Sequence, residues 1–130
     1  MTIVVAYAPR PEGQAALDKG IEIAKHRNEH LLVVNATPGS ADDESMAAAH
    51  DVERIEHLLE QPGLSAEFKQ FGRGNSTVEE IEALVETLPA SLLVIGLRKR
   101  SPVGKLIMGS VAQELLLSVA CPVLAVKAAS

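Results

Sequence analysis

Leu92-Leu93-Val94-Ile95-Gly96 is followed by Leu97-Arg98-Lys99-Arg100-Ser101-Pro102-Val103-Gly104-Lys105, then by Met108-Gly109-Ser110-Val111 and a helical run that ends at Cys121-Pro122-Val123-Leu124-Ala125-Val126. The order of residue types reads as strand, basic glycine-bearing loop, helix, strand. In an open parallel sheet, ligands bind beyond the carboxyl ends of the strands, and a helix opened by Gly-Ser presents free backbone N–H groups to an anion. A phosphate is therefore expected at this loop.

Charge and capping sharpen that reading. Arg98, Lys99, Arg100 and Lys105 place four of the chain's twelve basic residues within eight positions, and no acidic residue occurs between Glu86 and Glu114. In a chain of net charge −5 this is a local reversal of sign. Ser110 followed by Gln113 matches a capping box, so Ser110 is the expected cap of the helix, its hydroxyl and neighbouring amides facing a ligand. Charge and spacing fit equally well a solvated basic loop before an ordinary capped helix, and both readings stand at this point.

The same stretch resembles the nucleotide loop of the universal stress protein family, whose ATP-binding members carry Gly-x2-Gly-x9-Gly-Ser/Thr between the fourth strand and the last helix. Gly96, Gly109 and Ser110 stand at the first, third and fourth motif positions, and Lys99 stands at the second. The resemblance covers nearly the whole chain, from Ile3-Val4-Val5-Ala6-Tyr7 to Cys121-Pro122-Val123-Leu124-Ala125-Val126. It implies strand order 3-2-1-4-5 and an ATP or related adenine nucleotide in the crevice between the first and fourth strands. Gly96, Gly109, Ser110 and Val111 would then wrap phosphates and ribose, Arg98 and Lys99 would supply charge, and Ala36 would pack beside the base. Family members usually carry an aspartate after the first strand. Ala8 occupies that position here, so the turn lacks a nucleotide-facing carboxylate and a metal ligand. No metal is expected beyond magnesium accompanying the nucleotide. Relatives commonly pair the last strand with its twin, which implies a homodimer through Val123-Leu124-Ala125-Val126.

With 130 residues, 47% of them hydrophobic, the chain is sized for one domain, 1–130, with a substantial core. No apolar run is long enough to span a bilayer, and Met1-Thr2-Ile3-Val4-Val5 lacks the basic flank and cleavage site of a signal peptide. A cytoplasmic protein with no membrane partner is expected. The single cysteine permits no internal disulfide and no metal-ligand spacing, in keeping with a reducing compartment. Net negative charge and an aromatic content of 2% argue against a nucleic-acid partner.

Ile3-Val4-Val5-Ala6 and Leu31-Leu32-Val33-Val34 are unbroken apolar runs of the kind buried on both faces of a parallel sheet. Between them Pro9 and Pro11 stop the first strand, and Leu17, Ile21 and Ala24 recur at helical spacing, completing a βαβ unit. Thr37-Pro38-Gly39-Ser40 turns the chain into a second helix with Ala48, Val52, Ile55 and Leu59 as its apolar stripe. His50, Glu53 and His57 share a face of that helix, yet without a fourth ligand they read as solvated side chains. Ala66 to Phe71 mixes apolar and charged residues, as a sheet edge does. Gly72-Arg73-Gly74-Asn75 reads as a turn, Ser76 with Glu79 as a second capping box, and Val78, Ile81, Val85 and Leu88 as the inward face of a third helix. The last helix should turn Ala112, Leu115, Leu116 and Val119 inward, and Cys121 reads as a small core residue. The alternation gives five strands and four helices, hence a doubly wound α/β domain with an open parallel five-stranded sheet; the resemblance implies the adenine nucleotide alpha hydrolase-like kind of that fold.

Three functional classes compete: a nucleotide-binding stress-response or signalling protein, a family member without nucleotide binding that acts through protein contacts, and an enzyme. The last has least support, because the chain has no Gly-x4-Gly-Lys-Ser/Thr loop, no nucleophile with a partnered base and no clustered carboxylates for magnesium. At most, slow incidental ATP hydrolysis is expected.

Overall fold

Alternate residues of the central strands feed two separate apolar clusters, one on each face of the sheet. The structure, a computed structural model, describes residues 1–35, 45–70, 77–100 and 105–128, with the side chains of 45–49, 99 and 100 outside that description. In chain order the elements are β1 (Thr2–Tyr7), α1 (Pro11–Arg27), β2 (His30–Asn35), α2 (Ser45–Leu58) and β3 (Ala66–Lys69). They continue with α3 (Thr77–Thr87), β4 (Ala90–Arg100), β5 (Lys105–Ile107), α4 (Ser110–Ser118) and β6 (Val123–Lys127). Ile3, Val5, Tyr7, Leu31, Val33 and Val94 pack under α1 and α2, against Leu17, Ile21, Ala24, Ile55 and Leu59. Val4, Leu32, Val34, Leu93 and Ile95 face the other way, onto Val78, Ile81 and Val85 of α3 and Leu115 of α4. Strands covered on both sides need apolar residues at every position, which is why these segments show no alternation with polar ones.

The helix ends follow from local chemistry. Pro11 opens α1, where its missing N–H is no loss, and Asn28 closes it in the left-handed conformation (φ 57°), its N–H bonded to the Ala24 carbonyl. Gly63, at φ 80°, supplies the turn before β3 that a side chain would resist.

The parallel strands run β3-β2-β1-β4-β6, so the expected order holds with β6 as its fifth member. β1 pairs with β2 from Thr2↔His30 to Tyr7↔Asn35 and with β4 through Ile3↔Leu92 and Val5↔Val94. β3 lies at one edge with Glu67 and Lys69 exposed, as its mixed composition suggested. At the other edge, β6 pairs with β4 from Leu93↔Val123 to Leu97↔Lys127.

Three expectations need correction. Arg98-Lys99-Arg100 is not loop: β4 continues through Arg100 and pairs antiparallel with a sixth strand, β5, through Arg98↔Ile107 and Arg100↔Lys105. A charge run is compatible with a two-stranded ribbon whose described side chains, Arg98, Lys105, Leu106 and Ile107, are exposed, because basic head groups there keep their water. Leu88 and Leu116, expected inward, are 39% and 43% exposed, since Leu88 follows the last residue of α3 and Leu116 lies off the buried side of α4 that Leu115 occupies. Ser110 is not the cap of α4; extended Gly109 (φ −63°, ψ 159°) takes that place and Ser110 is the first helical residue. The second capping residue, Ser76, the Arg73 turn and the Ala36 position lie outside the described residues.

Candidate functional site

The strand order leaves a crevice where the connections from β1 and β4 depart to opposite faces. From β1 the chain turns through Ala8 into α1, the Arg10 N–H bonding the Ala8 carbonyl at 2.7 Å. From β4 it passes through the hairpin and returns at Gly109 to start α4. Between the two lies a cavity of about 130 Å³. Ala6, Ala8 and Arg10 contribute one wall together with Glu12 and Gly13 of α1. Ile95 and Gly96 of β4 and the α4 start at Gly109, Ser110, Val111 and Ala112 form the rest.

Gly96 has a clear steric reason to be glycine. A Cβ there would collide with the Glu12 carbonyl and lie 2.9 Å from the Glu12 Cβ. Gly13 has the same relation to the Ala8 carbonyl, so α1 settles against both strand ends with no room for side chains. The open space therefore lies towards α4, where Gly109 meets nothing within 4 Å of a Cβ position.

The α4 N-terminus supplies the donors. Gln113 N–H bonds the Gly109 carbonyl at 2.9 Å, and no side chain caps the first turn. The leading N–H groups of a helix have no partner within it, and the aligned peptide dipoles add partial positive charge. This end of α4 borders the cavity, so the cavity's electrostatics favour an anionic group beside Ser110 and Val111.

Of the residues singled out from sequence, Gly96, Gly109, Ser110 and Val111 line one cavity. Arg98 does not line it; its side chain is exposed on the hairpin, and the Lys99 side chain lies outside the description. The sequence reading missed Arg10 and Glu12. Their signal is the position itself, a charged residue at the end of the turn after β1 and another in the first turn of α1. A second, open groove on the α2 side holds Arg10 with Tyr7, Asp51 and Arg54. There the Tyr7 hydroxyl donates to Asp51 Oδ2 at 2.7 Å and accepts from Arg54 Nη2 at 2.9 Å. Burial, reinforced by the Asp51 carboxylate, pushes the phenol well above its ordinary range.

No group of three or more His, Cys, Asp or Glu residues gathers as a metal site among the described residues. His50, Glu53 and His57 are exposed along α2. Cys121 is half-buried, and desolvation raises its thiol pKa, the opposite of what a reactive thiolate needs. No helix among the described residues is long and apolar enough to cross a membrane.

Comparison with known proteins agrees with this architecture. The family model described as "Universal stress protein family" matches residues 1–127. A universal stress protein of Mycolicibacterium smegmatis (strain ATCC 700084 / mc(2)155) is 48% identical over 126 residues, covering 96% of each chain. Among solved structures, a universal stress protein from Archaeoglobus fulgidus superposes with a TM-score of 0.77 at 29% identity, over 97% of both chains. A structure of the universal stress protein from the same organism in complex with dAMP gives a TM-score of 0.71 at 22% identity, over 97% of this chain and 96% of that one. Strand order, crevice and family match converge: the chain belongs to the universal stress protein family.

Proposed function

We propose that this chain is a dimeric stress-response or signalling protein that binds ATP or a related adenine nucleotide in the β1–β4 crevice and has no dedicated catalytic activity. The observation that carries the reading is the α4 N-terminus, uncapped by any side chain, opening onto a cavity lined by Gly109, Ser110 and Val111. Phosphates would meet the leading amides of α4, as anions do at helix N-termini generally. Gly96 acts by letting α1 and β4 close together, which shapes the cavity. Arg10 supplies a cation at the cavity wall. Arg98, exposed on the hairpin, would meet only the outermost phosphates; for Lys99 and Ala36 the proposal keeps the roles that the resemblance implies, added charge and packing beside the base. The dAMP complex of the archaeal relative supports an adenine nucleotide as the ligand class.

A second reading has its own observation. Leu106 and Ile107 of β5 and Leu116 and Leu117 of α4 are exposed, Leu117 at 78%, and such apolar surface suits contact with another protein. In that case the crevice carries no nucleotide.

Mass spectrometry of gently denatured, freshly purified protein separates the two, together with thermal shift under millimolar ATP. A ligand at one hundred times its dissociation constant stabilises the fold by about 2.7 kcal/mol, a visible rise in melting temperature. Ser110→Asp should abolish that rise by setting a negative charge at the phosphate position. Arg98→Ala should weaken ATP while leaving AMP nearly unchanged. Neither copurified nucleotide nor a thermal shift in the native protein would leave the protein-contact reading in possession.

A further inference from the structure

We infer that Glu12 selects the nucleoside end of the ligand: its carboxylate accepts a hydrogen bond from a neutral donor of the bound nucleotide, either a ribose hydroxyl or the adenine amino group. This rests on the nucleotide reading above. Glu12 is the only acidic residue among the described residues that line the cavity. Its Oε2 is buried, and no described residue hydrogen-bonds to it. Arg10, on the same wall, forms no ion pair with it among the described residues. An acid in the first turn of α1 is favoured by the helix dipole, which accounts for a glutamate here. That interaction is satisfied equally by a solvated carboxylate and gives no reason to bury the oxygen.

Burying a carboxylate oxygen without a partner is costly, so the arrangement calls for a donor that enters with the ligand. A phosphate cannot serve, because two anions in contact repel. A hydroxyl or an amino group can. The position is held firmly: Gly96 presses on Glu12 so tightly that a Cβ would collide with its carbonyl, leaving the residue no freedom to swing its backbone out of the seam between α1 and β4. The cavity lining thus carries two opposite preferences, the α4 amides for the anionic part of a nucleotide and Glu12 for its hydrogen-bond donors.

Calorimetric titration of the full chain tests this with three probes: ATP, dideoxy-ATP lacking both ribose hydroxyls, and purine-riboside triphosphate lacking the amino group. The native protein should prefer ATP over one of the analogues by about tenfold, the scale of one hydrogen bond in a closed site, and the disfavoured analogue names the donor. Glu12→Ala should erase that preference. Glu12→Gln, which keeps one acceptor oxygen and the size of the side chain, should retain part of it and guards against misfolding of the smaller variant. The inference fails if Glu12→Ala keeps the native preference, if it binds ATP more tightly than the native protein, or if its defect appears only with magnesium present, which would make the carboxylate a metal ligand. ATP binding with no preference between probes sinks this inference alone, whereas no binding of any probe sinks the nucleotide reading with it.

Discussion

Tyr7 carries its ring in the core and its hydroxyl between Asp51 and Arg54, tying the end of β1 to α2. Because burial and the neighbouring carboxylate raise the folded-state pKa above the unfolded value of about 10, the stabilising contribution is complete below that pH and is lost as pH rises further. Tyr7 is the chain's only tyrosine, so ultraviolet absorbance follows it without interference. The tyrosinate signal should stay low in the folded protein as pH passes the ordinary tyrosine range, then rise together with unfolding seen by circular dichroism. A simple titration at the ordinary value, with secondary structure intact, would contradict the burial argument. Tyr7→Phe removes the hydroxyl while Asp51 and Arg54 keep each other at 2.9 Å, so the cost should be only about 1 kcal/mol in chemical denaturation. Nothing in the sequence near Tyr7 announces these partners, because they come from a helix far along the chain.

At the scale of elements, the contact between β4 and the start of α1 is the tightest constraint on the crevice. Gly96→Ala forces a methyl into the Glu12 carbonyl, and overpacking of this kind costs about 1–3 kcal/mol, read as a lower denaturant midpoint with an unchanged slope. If the variant matches the native midpoint, the strand and helix are less closely apposed than described. The helices and buried strands were legible because apolar spacing reports directly on burial: Leu17, Ile21, Ala24, Val78, Ile81 and Val85 all lie where their period puts them. The hairpin was not. Its described side chains, Arg98, Lys105, Leu106 and Ile107, are exposed, so no buried periodicity marks them, and Arg98-Lys99-Arg100 reads as loop although cross-strand pairing makes it a strand. The cavity wall at Gly109, Ser110 and Val111 was visible as a motif. Glu12 was hidden for a different reason, since what distinguishes it is a solvation state that a one-dimensional pattern cannot express.

For the molecule as a whole, the open question posed by the sheet is its β6 edge. Val123, Leu124 and Val126 are half-buried and Ala125 is exposed, and β4 is the only strand paired with β6 among the described residues. An apolar unpaired edge invites further strand pairing, and two copies meeting there would satisfy both edges at once. Sedimentation equilibrium should therefore find a dimer at micromolar concentration, and Leu124→Lys should yield monomer or insoluble protein; a native monomer would refute the arrangement. The two-faced core has a further consequence. In a sheet with one wet face, sliding a strand by one residue exposes its apolar set and is forbidden by solvation alone. Here Val4 and Val5, or Leu93 and Val94, would exchange one oily environment for another, so solvation is nearly blind to the error. Alignment must instead be written in shape: the notch at Gly96 that receives Glu12, the bare Gly20 that admits Val5, and the one phenol whose oxygen has somewhere to go. These few irregular positions hold the information that the uniform strands lack.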